Sequence, residues 1–162
     1  LYAGQTITSI LRRYVYSWSP QVANIFNDKQ IYTFNDDDNK GIWYFEPVSC
    51  ENNIFYLKNK EYNEYLYATT FHYSFFNDRR KVFTWSRNPS ELDDSFKWRV
   101  TKIDGEEKYT LHSVKFNEPL YAASFFFRRD SLRRNVYTWH GEPDSRQFNW
   151  YIKCRDGNKL IE

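Results

Sequence analysis

The block Asn63-Glu64-Tyr65-Leu66-Tyr67-Ala68 returns 54 residues later as Asn117-Glu118-Pro119-Leu120-Tyr121-Ala122. At the same offset Arg79-Arg80-Lys81-Val82-Phe83-Thr84-Trp85 returns as Arg133-Arg134-Asn135-Val136-Tyr137-Thr138-Trp139. A third pair follows, Phe96-Lys97-Trp98-Arg99-Val100 and Phe148-Asn149-Trp150-Tyr151-Ile152. Fixed-offset self-similarity marks a chain built from supersecondary units, none of which buries its apolar face alone. The N-terminal third joins the series at an offset of 51. Tyr14-Val15-Tyr16-Ser17 then matches Tyr65-Leu66-Tyr67-Ala68, and Lys29-Gln30-Ile31-Tyr32-Thr33-Phe34 matches Arg80 to Trp85. Ile42-Trp43-Tyr44-Phe45 plays the third block. The rival register, which sets Leu1-Tyr2-Ala3 on the Leu-Tyr-Ala blocks, breaks the spacing and leaves residues 19–42 without a role.

Each unit also has a leading segment: Thr6 to Ile10, Phe55 to Asn59 and Tyr109 to Ser113. The segments are short and rich in β-branched and aromatic residues. Several alternate, as where Phe96, Trp98 and Val100 face one way and Lys97 and Arg99 the other; that is the period of a half-buried strand. Turn residues separate them, among them Asn59-Lys60-Glu61, Asn88-Pro89-Ser90, Asp104-Gly105 and Asp156-Gly157. No helical period of useful length appears. Three repeats of four strands, about 4–50, 54–104 and 108–158, predict an all-β chain folded as one β-trefoil domain over residues 1–162. Six strands would close a short barrel and three hairpins would cap one end, removing exposed sheet edges.

Composition narrows the function classes. Aromatics make up 21% of the 162 residues, too much apolar mass for a disordered chain. No run approaches the ~18 apolar residues of a membrane-spanning helix. A net charge of +2 argues against a protein bound to nucleic acid over its whole surface. Two cysteines are too few for a disulfide scaffold; Cys50 and Cys154 either pair across the chain or sit apart as small buried thiols. The first residue, Leu1, points to a processed chain from which a signal peptide has gone. The only Asn-x-Ser/Thr match, Asn88-Pro89-Ser90, is disqualified by its proline, so N-glycans are not expected.

The run from Phe55 to Leu66, with its Asn-Glu-Tyr-Leu core, the basic strand after it and the Trp-containing strand after that, resembles an insect family. It is similar to the trefoil domain of the low-molecular-mass haemolymph lipoproteins of silkworm and the related microvitellogenin of moths. The likeness covers about residues 54–152 and has no counterpart here for that family's N-terminal helical domain. It implies a secreted insect protein with storage or ligand-carrying duties, and no catalytic residue.

The strongest basic cluster is Arg128, Arg129, Arg133 and Arg134 beside Phe125-Phe126-Phe127, with Arg79 and Arg80 as its counterpart in the second repeat. Guanidinium forks suit sulfate and carboxylate, so these six arginines are candidate contacts for an anionic glycan; the competing reading has their stems covering aromatic surface. Trp85 and Trp139 end the third strands and are either cap residues or stacking platforms for a sugar. Trp43, Trp98 and Trp150 occupy equivalent fourth strands and read as core. A ricin-like galactose strand is not present, since Gln147-Phe148-Asn149-Trp150 has one residue too many for Gln-x-Trp.

Other chemistries find little. The acidic run Asn35 to Gly41 fails as a calcium loop, because Lys40 and Pro47 fall where acidic ligands belong. His112 lies in a leading strand, and His72 and His140 are placed in loops, with no ligand spacing around them. No glycine-rich phosphate loop and no strained nucleophile turn appears. The reading is therefore a secreted, non-enzymatic binding module of lectin type, without cofactor or metal. Its partner is a glycan or another anionic or small ligand, or a protein, not nucleic acid. Haemolymph storage is an alternative, as is protease inhibition through the Ser86–Ser95 loop, which carries Arg87.

Overall fold

The computed structural model describes the backbone of residues 5–9, 14–17, 29–34, 39–74, 77–126, 134–141 and 145–154, and side chains within 40–72, 78–123, 135–141 and 146–153. Twelve strands fall into three sets of four. The first set is β1 (Gln5–Ser9), β2 (Tyr14–Ser17), β3 (Lys29–Phe34) and β4 (Ile42–Pro47). The second is β5 (Ile54–Asn59), β6 (Tyr65–Ser74), β7 (Asn77–Trp85) and β8 (Lys97–Lys102). The third is β9 (Tyr109–Ser113), β10 (Leu120–Phe126), β11 (Arg134–Thr138) and β12 (Trp150–Cys154). Every other helical element described is a single three-residue 3-10 turn.

Pairing closes the first and fourth strands of each repeat into a ring. β1 pairs β4, β4 pairs β5, β5 pairs β8, β8 pairs β9, β9 pairs β12, and β12 returns to β1. The middle strands form three hairpins, β2–β3, β6–β7 and β10–β11. The third strands then meet in a triangle, β3–β7, β7–β11 and β11–β3. This is the β-trefoil, in the register that sets Lys29, Arg80 and Arg134 at equivalent places.

The repeat blocks recur because each position does the same work twice. Leu57 and Leu111, Leu66 and Leu120, Ala68 and Ala122, and Val82 and Val136 all enter one core cluster. Trp43, Trp98 and Trp150 are fully buried at its centre. A buried indole N–H needs an acceptor. Trp98 donates to the carbonyl of Leu66 and Trp150 to that of Leu120, each at 3.0 Å. The Asn that opens each block turns the chain between leading and second strands. Asn63 and Asn117 sit at φ 55° and 52°, a left-handed conformation that Asn tolerates better than most residues. Asn63 N–H donates to Asn59 O at 3.0 Å, and Asn117 N–H to Ser113 O at 2.8 Å.

Two expectations are corrected. Cys50 is an exposed free thiol at φ 64°, so it does not pair with Cys154 and is not a buried thiol. His72 lies within β6, opposite Arg80, and not in a loop, because the second strand runs six residues beyond the block that announces it, to Ser74. The segment 35–38 of the acidic run lies outside the described residues; Asn39–Gly41 is a 3-10 turn leading into β4.

Candidate functional site

An irregularity repeated in two hairpins shapes the surface. Across β6 and β7, Ala68 faces Val82 but His72 faces Arg80, so two extra residues sit on β6. Across β10 and β11, Ala122 faces Val136 and Phe126 faces Arg134, the same shift 54 residues on. Bulges bend a strand and re-aim side chains. In β6 the buried Thr69 holds the bulge. Its hydroxyl accepts from Phe71 N–H at 3.0 Å and lies 3.2 Å from the carbonyls of Phe71 and Lys81, one of which takes its proton. The result is Phe71 turned outward at 64% exposure, where an apolar ring of that size is unusual.

Beside Phe71 lies a groove of about 240 Å³, short of the ~300–1,000 Å³ of drug-sized sites. Its apolar wall is Tyr67, Phe71 and Trp85; Thr69, Ser95 and Lys115 add polar atoms. Four segments build it: the bulge of β6, the end of β7, the turn before β8 that carries Ser95, and the turn after β9 that carries Lys115. Tyr67 stacks on Phe96 with centroids 5.0 Å apart and meets Trp85 at 5.8 Å, so the wall is anchored by the buried cluster of Tyr65, Tyr67, Phe83 and Phe96.

The polar rim centres on Asp93. Its Oδ1 accepts from Ser95 N–H at 2.8 Å and from the Ser95 hydroxyl, and its Oδ2 lies 3.6 Å from Lys115 Nζ. Partial burial alone would raise the Asp93 carboxyl, but the Ser95 hydrogen bonds and the Lys115 charge outweigh it and hold the group below the usual carboxylate range.

The residues singled out from the sequence part company here. Trp85 lines the groove, with the Arg87 guanidinium 3.5 Å above its ring; Arg87 also approaches Glu91 at 3.8 Å, folded back along its own loop. Trp139 is packed differently among the described residues. Arg79 lies 4.5 Å over its ring and 5.6 Å from that of Tyr121. On its other approach Gly141 sits so near that a Cβ there would come within 2.0 Å of the six-membered ring. Position 141 is the repeat equivalent of 87, so one repeat has an arginine covering its tryptophan where the other has a glycine admitting it.

Arg80 is engaged by Glu118 through two bonds of 2.9 Å, and its third nitrogen donates to Thr69 O at 3.1 Å. It thereby ties the bulge of the second repeat to the third. Arg134 stands in β11 opposite Thr33; its side chain, and the whole of Arg128, Arg129 and Arg133, lie outside the described residues. Phe71, Asp93, Ser95 and Lys115 were not singled out from the sequence. Phe71 carried a faint signal, being the aromatic that continues the second strand past its repeat block. Among the described residues no group of three or more His, Cys, Asp or Glu is placed to hold a metal ion. No helix there is long and apolar enough to cross a membrane.

No protein-family model and no curated protein matches the sequence. Solved structures do match in fold. The designed three-fold symmetric protein ThreeFoil is 13% identical over 92% of this chain and 96% of its own, with a TM-score of 0.69. The SDF2-like protein from Arabidopsis thaliana is 11% identical over 94% and 93%, with a TM-score of 0.76. The Polyporus squamosus lectin bound to the epitope Neu5Aca2-6Galb1-4GlcNAc is 17% identical over 95% of this chain and 50% of that one, with a TM-score of 0.65. At such identities the likeness is one of fold.

Proposed function

We propose that the chain is a secreted, non-enzymatic, lectin-like module that binds a glycan in the groove beside Trp85. One observation carries the reading: a bulge held by Thr69 turns Phe71 outward next to an aromatic wall and a polar rim. Sugars bind by laying an apolar CH face on a ring while hydroxyls meet fixed polar groups, and small-ligand sites combine an apolar lining with few polar atoms in this way. The Polyporus lectin supports the reading in one respect, in that a protein bound to a glycan epitope shares this fold over half of its chain. Secretion is supported by the resemblance of residues 54–152 to haemolymph proteins. An arginine-borne anionic site is less favoured on the described residues, because Arg79 and Arg80 already serve Trp139 and Glu118.

The test is a glycan array probed with the wild-type chain and with Phe71→Ala. Hits that disappear in the variant, with its thermal melt unchanged, uphold the groove. An array without hits overturns the reading and favours storage.

A further inference from the structure

We infer that the groove selects a neutral pyranose bearing two adjacent hydroxyls, gripped by the Asp93–Lys115 pair while Phe71 takes its apolar face and Trp85, capped by Arg87, walls the groove. The inference rests on the glycan reading and names its ligand class. An ionised carboxylate has about four acceptor positions. Asp93 uses two on Ser95 through Oδ1 and turns Oδ2 toward Lys115 at 3.6 Å, leaving an acceptor on that oxygen. Both side chains reach solvent, Asp93 at 61% and Lys115 at 40% exposure. Lys115 is a donor only, with three protons. Lys115 and Ser95 line the groove and Asp93 stands just behind them, so at its edge an acceptor, Asp93 Oδ2, lies 3.6 Å from a donor, Lys115 Nζ. Adjacent ring hydroxyls answer that pair, one donating to Asp93 Oδ2 and its neighbour's oxygen accepting from Lys115 Nζ. Ser95 adds no second donor, since its hydroxyl proton is directed at Asp93.

Charge decides against an acidic sugar. Lys115 is the cation lining the groove, and Asp93 already faces it. The nearby Lys97 is held by Glu51 at 2.7 Å and Asp94 at 3.0 Å. Asp93, Asp94, Glu51 and Glu91 against Lys97, Lys115 and the Arg87 that lies over Trp85 leave the groove's surroundings with one excess negative charge. A sulfate or carboxylate placed there would have to displace Asp93 from Lys115 and face its charge, a repulsion that selects for neutral ligands.

The experiment uses the full chain on an array of neutral hexose-terminated, sialylated and sulfated glycans, at low and high salt. Wild type, Lys115→Ala, Asp93→Asn and Phe71→Ala are compared. The expected result is neutral hits that ignore salt, weakened about tenfold or more by Lys115→Ala and by Asp93→Asn, as for loss of a charge-assisted hydrogen bond. The same sugars O-methylated at the adjacent hydroxyls should not bind. Asp93 also caps the turn that carries Ser95, so Lys115→Ala, at an exposed position, carries the conclusion if Asp93→Asn melts early. Hits confined to acidic glycans, or neutral hits kept in Lys115→Ala but lost in Phe71→Ala, overturn this inference and leave the glycan reading standing. Absence of all hits overturns both.

Discussion

Glu118 stands just before the second strand of the third repeat and Arg80 closes on it from the second repeat, Nε to Oε2 and Nη2 to Oε1, both at 2.9 Å. Thr138 adds its hydroxyl to the same carboxylate at 2.5 Å, and Phe116 lies 3.7 Å beneath the guanidinium. In the second repeat Glu64 likewise accepts from Thr84 at 2.8 Å. The block that begins Asn-Glu therefore carries a turn former and then a buried acid that ties third strands to its own hairpin.

Arg80→Ala should destabilise the fold by about 3–5 kcal/mol, because it strands the Glu118 charge in a buried place. Urea denaturation checks this. Lys102→Ala, which removes an exposed pair with Glu107 at 3.9 Å, should cost under about 1 kcal/mol. Arg80→Ala should also weaken glycan binding, since it releases Thr69 O from the bulge that presents Phe71.

Gly141→Ala should displace Trp139. The added methyl has no room against the indole, and overpacking of this kind typically costs about 1–3 kcal/mol. Near-UV circular dichroism should lose part of its tryptophan signal, while binding at Trp85 in the other repeat should survive.

Alkaline stability should depend on Tyr65. Burial first, and then its hydrogen bond to Glu46 at 2.9 Å, push its phenol up from 10.0 to about 12. The folded state therefore keeps a proton that the unfolded state gives up near pH 10. Stability from this group is intact below about 10 and is lost as pH rises to about 12. Spectrophotometric titration should show a late-ionising tyrosine that is absent in Tyr65→Phe, and that variant should lose stability less steeply above pH 10.

His112 acts at the other end of the scale. Burial, and then the charges of Arg99 and His140, lower its imidazole below 6.5. The unfolded chain then binds the proton more readily, so acidification through 6.5 favours unfolding until the folded imidazole is itself protonated. The melting temperature should fall from neutral pH to about pH 5, and less so in His112→Gln.

Cys50, exposed and free, should react with a thiol reagent in the native protein without prior reduction. Slow labelling that requires denaturant would place the thiol elsewhere.

The fold was legible because its information is local and repeated. Short alternating segments at offsets of 51 and 54 announce strands, and Trp43, Trp98 and Trp150 at equivalent places announce the core. Trp85 was legible only as a choice between cap and platform. The choice turned on Arg87 and Phe71, and for Trp139 on Arg79 and Gly141. Arg87 and Gly141 hold the same loop position and differ between repeats, a difference that a repeat pattern averages away.

Strand identity, turn positions and the apolar face of each strand follow from residue type and period, because each unit's backbone must satisfy itself before packing. The Arg80–Glu118 fork and the Asp93–Lys115 pair do not. Their members lie 38 and 22 residues apart and meet only after hairpins and turns from neighbouring units converge. Which charges find partners, and which ring is left facing water, was decided by that convergence.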